Sequence, residues 1–486
     1  MAVFTRRHPC MEWRFVVATI DDSTPTPSDD GRDRPSRADR GPRGHIGLIV
    51  AGSVATGLIV ALLLVAAPFI RAEESAVTGA VLCGFAIGWA MLAVLSVRFT
   101  DQPQEWAAVP ALLMGLGGLL LVVFGSSVHG VLNWVWPPVT LALAIWMFVR
   151  VHRQLRSRGG RWLLNLVIGL LTLASIGGGY ETVREATDAR AYPMPGQLID
   201  VGGHRLHLNC TGSGSPTVML EPGGGAMSSN LGWITPAVAR DTRVCVYDRA
   251  GRGWSDPAGT PQDGIQIATD LHTLLQRGHV PGPYVLAGHS FGGLYVLTFA
   301  ARYPDEVAGM VLIDSTAPAS AQPGSAAPEP GPASPHAGDS YDALGRVSAL
   351  AAASARLGLA RLYGWLSLGS LPSRSDAEVL ARMARASSVG STVDEYLHAS
   401  AAVQQGASLR DFADKPLLVL TAGSGHPAAW FTAQNHLATL STNTAHRVIA
   451  GATHEALVGE KQYAAAATRA ILDVVSSIRS GAPLAS

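Results

Sequence analysis

A serine stands between two glycines at Gly288, His289, Ser290, Phe291 and Gly292, inside the stretch PYVLAGHSFGGLYV at 283–296. The bare spacing Gly-x-Ser-x-Gly is expected about 0.4 times by chance in a chain of this composition, so its setting decides its weight. Tyr284–Ala287 read as a strand and Phe291–Ala300 as a helix. Between them, Gly288 and Gly292 permit a turn too tight for side chains. Such a turn lifts the Ser290 hydroxyl above the sheet edge, and the new helix points its free N–H groups there. A hydroxyl in that place attacks an acyl carbon if a neighbouring base takes its proton.

Elements that could carry such a turn surround it. QLIDVGGHRLHLNC, from Gln197, reads as two short strands around a Gly-Gly turn. PTVMLEPGGG is an apolar strand ending in glycines, and TRVCVYDRAGRGWSD is another strand with a loop. GIQIATDLHTLLQRGHV has helical spacing, with Ile267, Leu271, Leu274 and Leu275 on one face. GMVLID, PLLVLTAG and HRVIAGATHEALV complete the series. Continuous apolar strands alternating with helices predict a mostly parallel sheet covered on both faces.

On GHSFGG at 288–293, YDRAGRGWSD at 247–256 and GATHEAL at 451–457, residues ~196–480 resemble the α/β-hydrolase superfamily, in its serine esterase and lipase-like branch. The resemblance implies an α/β-hydrolase fold with an inserted helical cap, and roles residue by residue. Ser290 looks like the nucleophile. His454 stands in the loop after the last strand, where the superfamily places the base; His446 and His426 are the alternatives. Many relatives carry the acid after the strand PLLVLTAG, but here that loop begins Ser424, Gly425, His426, Pro427. Asp314, ending GMVLID, takes the role instead, as in other branches, ahead of Asp339 and Asp305. The resemblance assigns the oxyanion hole to the N–H groups of Phe291 and Gly224, with Gly223 as alternative to Gly224. Asp248 and Arg249 are read as holding their loop. Cys210 and Cys245 correspond to the second and fourth strands, neighbours in the superfamily's sheet, which implies a disulfide between them.

Residues ~316–405 fall between two strands, where relatives insert a cap. Thr316–Ser340 is rich in Ala, Pro and Ser, and two amphipathic helices follow. Their Leu, Tyr363 and Trp365 content suits an apolar substrate portion, the bilayer surface, or packing on the sheet.

The chain is 486 residues long, more than one domain needs. Ile46–Ile70, Ser75–Val97, Ala107–Val149 and Trp162–Tyr180 contain no Asp, Glu, Lys or Arg. At about 20 apolar residues per crossing, these predict five transmembrane helices, roughly 46–70, 75–97, 107–128, 132–150 and 162–180. The third run breaks near His129-Gly130. Trp106, Trp134 and Trp162 sit near the ends. Residues 1–45, with Arg6, Arg7, Arg14, Arg32, Arg34, Arg37, Arg40 and Arg43, read as a disordered arm. Arg98, Arg153, Arg156, Arg158 and Arg161 fall on the same side, which is therefore cytoplasmic. The organisation expected is an arm at 1–45, a membrane domain at 46–180, a linker at 181–195 and a hydrolase domain at 196–480. The location expected is a multi-pass protein of the cell membrane with its hydrolase domain extracytoplasmic.

A formal net charge of zero gives no support to nucleic acid as a partner. The four Cys are dispersed and no His/Cys spacing fits zinc, so neither metal nor cofactor is expected. The expected partners are an acyl-containing small molecule or lipid and the bilayer; oligomeric state is left open. The function expected is a membrane-anchored serine hydrolase of an ester or related acyl bond. The alternative is a catalytically silent domain that binds a lipid or partner and signals through the spans.

Overall fold

The computed structural model describes residues 45–318, 342–367 and 370–485. The arm, Cys10, Asp339 and the Ala/Pro/Ser-rich segment from 319 onward lie outside the described residues, as does the side chain of Trp365.

Among the described residues, five helices are long and apolar enough to cross a membrane. They are α1 (Ile46–Ala66), α2 (Glu74–Phe99), α3 (Ala108–Phe124), α4 (Ser126–Gln154) and α5 (Arg158–Ala191). Helices α1 and α2 meet at small residues: a Cβ on Gly84 would lie 2.3 Å from the Ala61 Cα, and one on Gly88 2.7 Å from the Ser53 carbonyl. Such residues let helix backbones approach where lipid offers no hydrophobic drive.

Two expectations need correction. The break in the third apolar run falls at Gly125, not near His129-Gly130, because Gly125 takes φ 56° and ends α3. His129 belongs to α4, which continues through Pro137 and Pro138. Proline has no N–H to give the carbonyl four residues back. The carbonyl that Pro137 leaves, on Asn133, instead accepts the Thr182 hydroxyl of α5 at 3.1 Å. Second, 181–195 is mostly not a linker. Helix α5 runs on to Ala191, because Glu181 and Asp188 are buried there against Arg361 and need no exit into water.

The second half of the chain holds an eight-stranded sheet among the described residues, in the order β1-β2-β4-β3-β5-β6-β7-β8. The strands and helices run β1 (Gln197–Asp200), β2 (Arg205–Thr211), β3 (Thr217–Glu221), α6 (Ile234–Val238), β4 (Val244–Tyr247), α7 (Gly264–Arg277), β5 (Tyr284–His289), α8 (Phe291–Arg302) and β6 (Val307–Ile313). The first two strands are antiparallel to their neighbours and the rest pair parallel. Side chains alternate across the sheet as the two-residue period requires. Met219 and Leu286 pack with Leu271 and Leu274 of α7 on one face. Val218, Leu220 and Val285 pack with Ile234 of α6 on the other. Cys210 and Cys245 are directly opposed in the β2/β4 register and joined by a disulfide.

The cap follows β6 as α9 (Ala343–Ala355), α10 (Leu359–Ser367), α11 (Ser373–Met383), α12 (Ala386–Leu397) and α13 (Ala399–Gly406). The chain then returns through β7 (Leu417–Ala422), α14 (Ala428–Ala438), β8 (Thr444–Ile449), α15 (Ala456–Gly459) and α16 (Lys461–Ser480). The cap is fastened to the apolar helices. Arg346 donates to the carbonyls of Val65 and Ile70, and Arg356 pairs with Glu74. Arg361 bonds both oxygens of Glu181 at 2.8 Å and pairs with Asp188 at 2.8 Å. Helix α5 comes so close that a Cβ on Gly177 would lie 2.2 Å from the Leu357 carbonyl.

Candidate active site

Ser290 joins β5 to α8 with φ 54° and ψ −124°, a backbone state that side chains resist. The surroundings hold it there. Its N–H donates to Ile313, and its carbonyl accepts Gly293 and Thr316, at 3.2, 3.0 and 3.0 Å. A Cβ on Gly288 would lie 2.5 Å from the Gly292 carbonyl, and one on Gly292 2.4 Å from the Glu221 carbonyl. Neither glycine admits a side chain. The Ser290 hydroxyl makes no hydrogen bond among the described residues.

Asp314 ends β6, with φ 43° and no exposed side-chain surface. Its Oδ1 accepts the Ala422 N–H at 3.1 Å and Trp430 Nε1 at 2.9 Å. Its Oδ2 lies 2.6 Å from His454 Nδ1 and 2.6 Å from His426 Nε2. Burial alone would raise this carboxyl. The bonds from His454, Trp430, Ala422 and His426 outweigh burial and hold it at about 2. His454, in the loop after β8, thus has its Nδ1 bound and its ring orientation set. His426 reaches the same oxygen from the other ring nitrogen and stacks on Trp430, with centroids 4.4 Å apart and planes 5° apart.

The remaining alternatives lie elsewhere. His446 is engaged by Thr421 and Asn435. Asp305 sits in the turn before β6, at the far end of that strand from Asp314.

Sequence reasoning missed His289 as a brace. Its Nε2 lies 3.1 Å from the His454 carbonyl, and the two rings are 4.7 Å apart. Burial and the neighbouring His454 push the His289 imidazole down to about 3, so it stays neutral and its Nε2–H donates to that carbonyl. The signal lay in the motif itself, at the variable position before the serine.

The loop after β3 brings Gly223 and Gly224 beside the turn. A Cβ on Gly223 would lie 3.2 Å from the Ser290 Cβ, and one on Gly224 3.1 Å from the Phe291 ring. The N–H groups of Phe291 and Gly224 have no acceptor among the described residues. Arg249 holds this loop by donating to Glu221, to the Pro222 carbonyl at 2.8 Å and to the Gly223 carbonyl at 2.6 Å. Asp248 accepts the N–H groups of Ser228 and Trp254 and pairs with His207.

Glu395 of α12 completes the arrangement, and no motif announced it. It accepts the Gly225 N–H at 2.9 Å and the Tyr295 hydroxyl at 2.8 Å, and it pairs with Arg249 and Arg252. Burial would raise this carboxyl, but the two guanidiniums and the Gly225 and Tyr295 bonds keep it below the usual range. Its neighbour Tyr396 places its ring 5.4 Å from that of Phe291. One group among the described residues could offer three metal-ligand atoms: Asp314, His426 and His454. The three are already matched to one another by hydrogen bonds.

A positive-φ serine between glycines, a buried Asp–His pair, two unpartnered amides and a mostly parallel sheet define a class. Residues 216–461, about half of the chain, match the alpha/beta hydrolase fold family, and the chain belongs to it. It is 37% identical over 156 residues to an uncharacterised protein of Schizosaccharomyces pombe, covering 26% of this chain and 29% of that one. It is 35% identical over 138 residues to a 2-(acetamidomethylene)succinate hydrolase of Mesorhizobium japonicum, covering 27% and 46%. Among solved structures it is similar to an enol-lactonase from Burkholderia xenovorans, with 18% identity, a TM-score of 0.41 and coverage of 58% and 100%. The chain spans less than half the length of these curated relatives.

Proposed function

We propose that this protein is a membrane-anchored serine hydrolase that cleaves an ester or related acyl bond through an acyl-enzyme on Ser290. The observation that carries the proposal is the 2.6 Å bond from His454 Nδ1 to the buried Asp314, in the loop braced to the serine turn. His454 takes the Ser290 proton as the oxygen attacks the acyl carbon. The negative charge that develops on the carbonyl oxygen falls to the N–H groups of Phe291 and Gly224. His454 then gives the proton to the leaving oxygen, and the carbon–oxygen bond breaks. Water, deprotonated by His454, attacks the acyl-enzyme. Ser290 leaves with the returned proton, freeing the acid. Asp314 stays ionised throughout and steadies the imidazolium.

Anchoring rests on α1–α5. The cap contacts the C-terminal ends of α1 and α5 and the N-terminal end of α2. Those ends share one side, opposite the arginine-rich segments, which supports an extracytoplasmic hydrolase domain. Leu344, Val347 and Leu350 of α9 and Leu359, Leu362 and Tyr363 of α10 are exposed beside the membrane helices. That apolar face suits the bilayer surface and an apolar acyl portion.

Fluorophosphonate labelling of the full chain tests the mechanism. The probe should label wild type and leave Ser290→Ala unlabelled. Equal labelling of both, or none of either, would overturn it.

A further inference from the structure

A cavity of about 440 Å³ lies where α2, α3, α4 and α5 meet the cap helix α9. Small-molecule sites run from about 300 to 1,000 Å³. Its walls have two characters. Val81, Phe85, Met114, Leu121 and Leu171 give an apolar body among the membrane helices. Asn133, Glu185 and Arg356 give a polar end beside the cap.

The polar end is not electrically closed. Arg356 is engaged by both oxygens of Glu74. Glu185 senses the charges of Arg356 and Arg385 but makes no hydrogen bond or ion pair among the described residues. The Asn133 side-chain amide makes none either. A carboxylate left with open lone pairs calls for a donor. An apolar body ending in an acceptor fits a single alkyl chain ending in hydroxyl or amine groups.

We propose that this cavity binds a single-chain amphiphile with a hydrogen-bond-donating head, drawn from the bilayer. The inference rests on α1–α5 crossing the membrane, and it does not depend on Ser290 chemistry. Leu350, Ala353 and Ser354 of α9 form part of the wall, so a bound chain touches helices and cap at once.

The test uses the full Ser290→Ala chain in phosphatidylcholine nanodiscs, so that the probe is not consumed. The probe is a monoacylglycerol with a diazirine and an alkyne in its acyl chain. After irradiation, mass spectrometry should place cross-links at Met114 and Leu171, and excess plain monoacylglycerol should suppress them. Ala174→Phe, checked for folding by size-exclusion chromatography, should remove them, because the new ring fills the cavity. Glu185→Ala should weaken the competition about tenfold, the loss expected for a hydrogen bond to a charged group. Cross-links at the lipid-facing Leu63 and Leu112 alone, or cross-links that the competitor does not suppress, would overturn the site. The unsubstituted map decides this even if Ala174→Phe misfolds. Equal competition by a fatty acid, whose head is anionic, would overturn the assignment of the head. Failure of the acyl-enzyme reading would leave every one of these outcomes unchanged.

Discussion

The Gly225 N–H donates to the Glu395 carboxylate at 2.9 Å, across 170 positions of sequence. One end of that bond is the loop beside the serine turn and the other is the cap. Glu395 also neutralises Arg249 and Arg252, which are buried with it. Glu395→Gln should therefore loosen the loop and the cap together. We expect fluorophosphonate labelling of Ser290 to slow at least roughly tenfold. Thermal unfolding should show a loss of about 3–5 kcal/mol, the cost of a buried charge left without its partner. Unchanged labelling would mean the loop holds its place without the cap.

Asp314→Asn should fold and lose about four orders of magnitude in turnover, because the imidazole loses its orienting partner. His454→Ala should lose as much. His426→Ala should stay within about tenfold of wild type, since it bonds the same oxygen without serving as base. Hydrolysis of a chromogenic ester by the three variants checks the assignment. A dead His426→Ala beside an active His454→Ala would exchange the two histidines.

His289 sets a pH dependence of stability. Its folded value is about 3 against an ordinary 6.5, so the unfolded chain takes up a proton first as pH falls. The stability this group contributes is complete above about pH 6.5 and is lost progressively toward pH 3. Between pH 6.5 and 5 the loss should be about 2 kcal/mol. His289→Gln should flatten that slope in thermal melts at stepped pH. A slope that survives the substitution would move the effect to other groups.

Arg361→Ala should leave Glu181 buried without a cation and Asp188 with Arg184 alone, at a cost of about 3–5 kcal/mol. The sheet makes no part of this contact. Limited proteolysis should open the cap while the fragment containing β1–β5 stays resistant. Cleavage of both at the same rate would show that cap and sheet unfold as one.

A reporter fused after Ser486 should be silent if it works only in the cytoplasm and active if it needs export. Cytoplasmic signal would refute the five-span topology.

The serine turn was legible because its causes are local: two glycines and a change from strand to helix within a few residues. The β2/β4 cysteines were legible once the strand neighbours were known by resemblance. The continuation of α5 was not. Glu181, Arg184, Glu185 and Asp188 look like an exit into water. Two of them, Glu181 and Asp188, are buried, and their burial depends on Arg361, which lies 180 positions away from Glu181. Glu395 was hidden for the same reason, since nothing near it in sequence shows that two arginines await its carboxylate. The break at Gly125 was misplaced because both Gly125 and Gly130 could end a helix. Only packing shows that His129 and Gly130 belong to α4.

The arginine clamps between cap and helices do more than add stability. They remove most of the rotational freedom that a tethered domain would have, so under the membrane anchoring proposed above the serine would keep one bearing relative to the bilayer plane. For the proposed hydrolysis of a bilayer-borne acyl substrate, bulk molarity is the wrong variable. On that proposal the rate should scale with the mole fraction of substrate in the surrounding leaflet, and diluting that leaflet with inert lipid should slow it even when total substrate is unchanged.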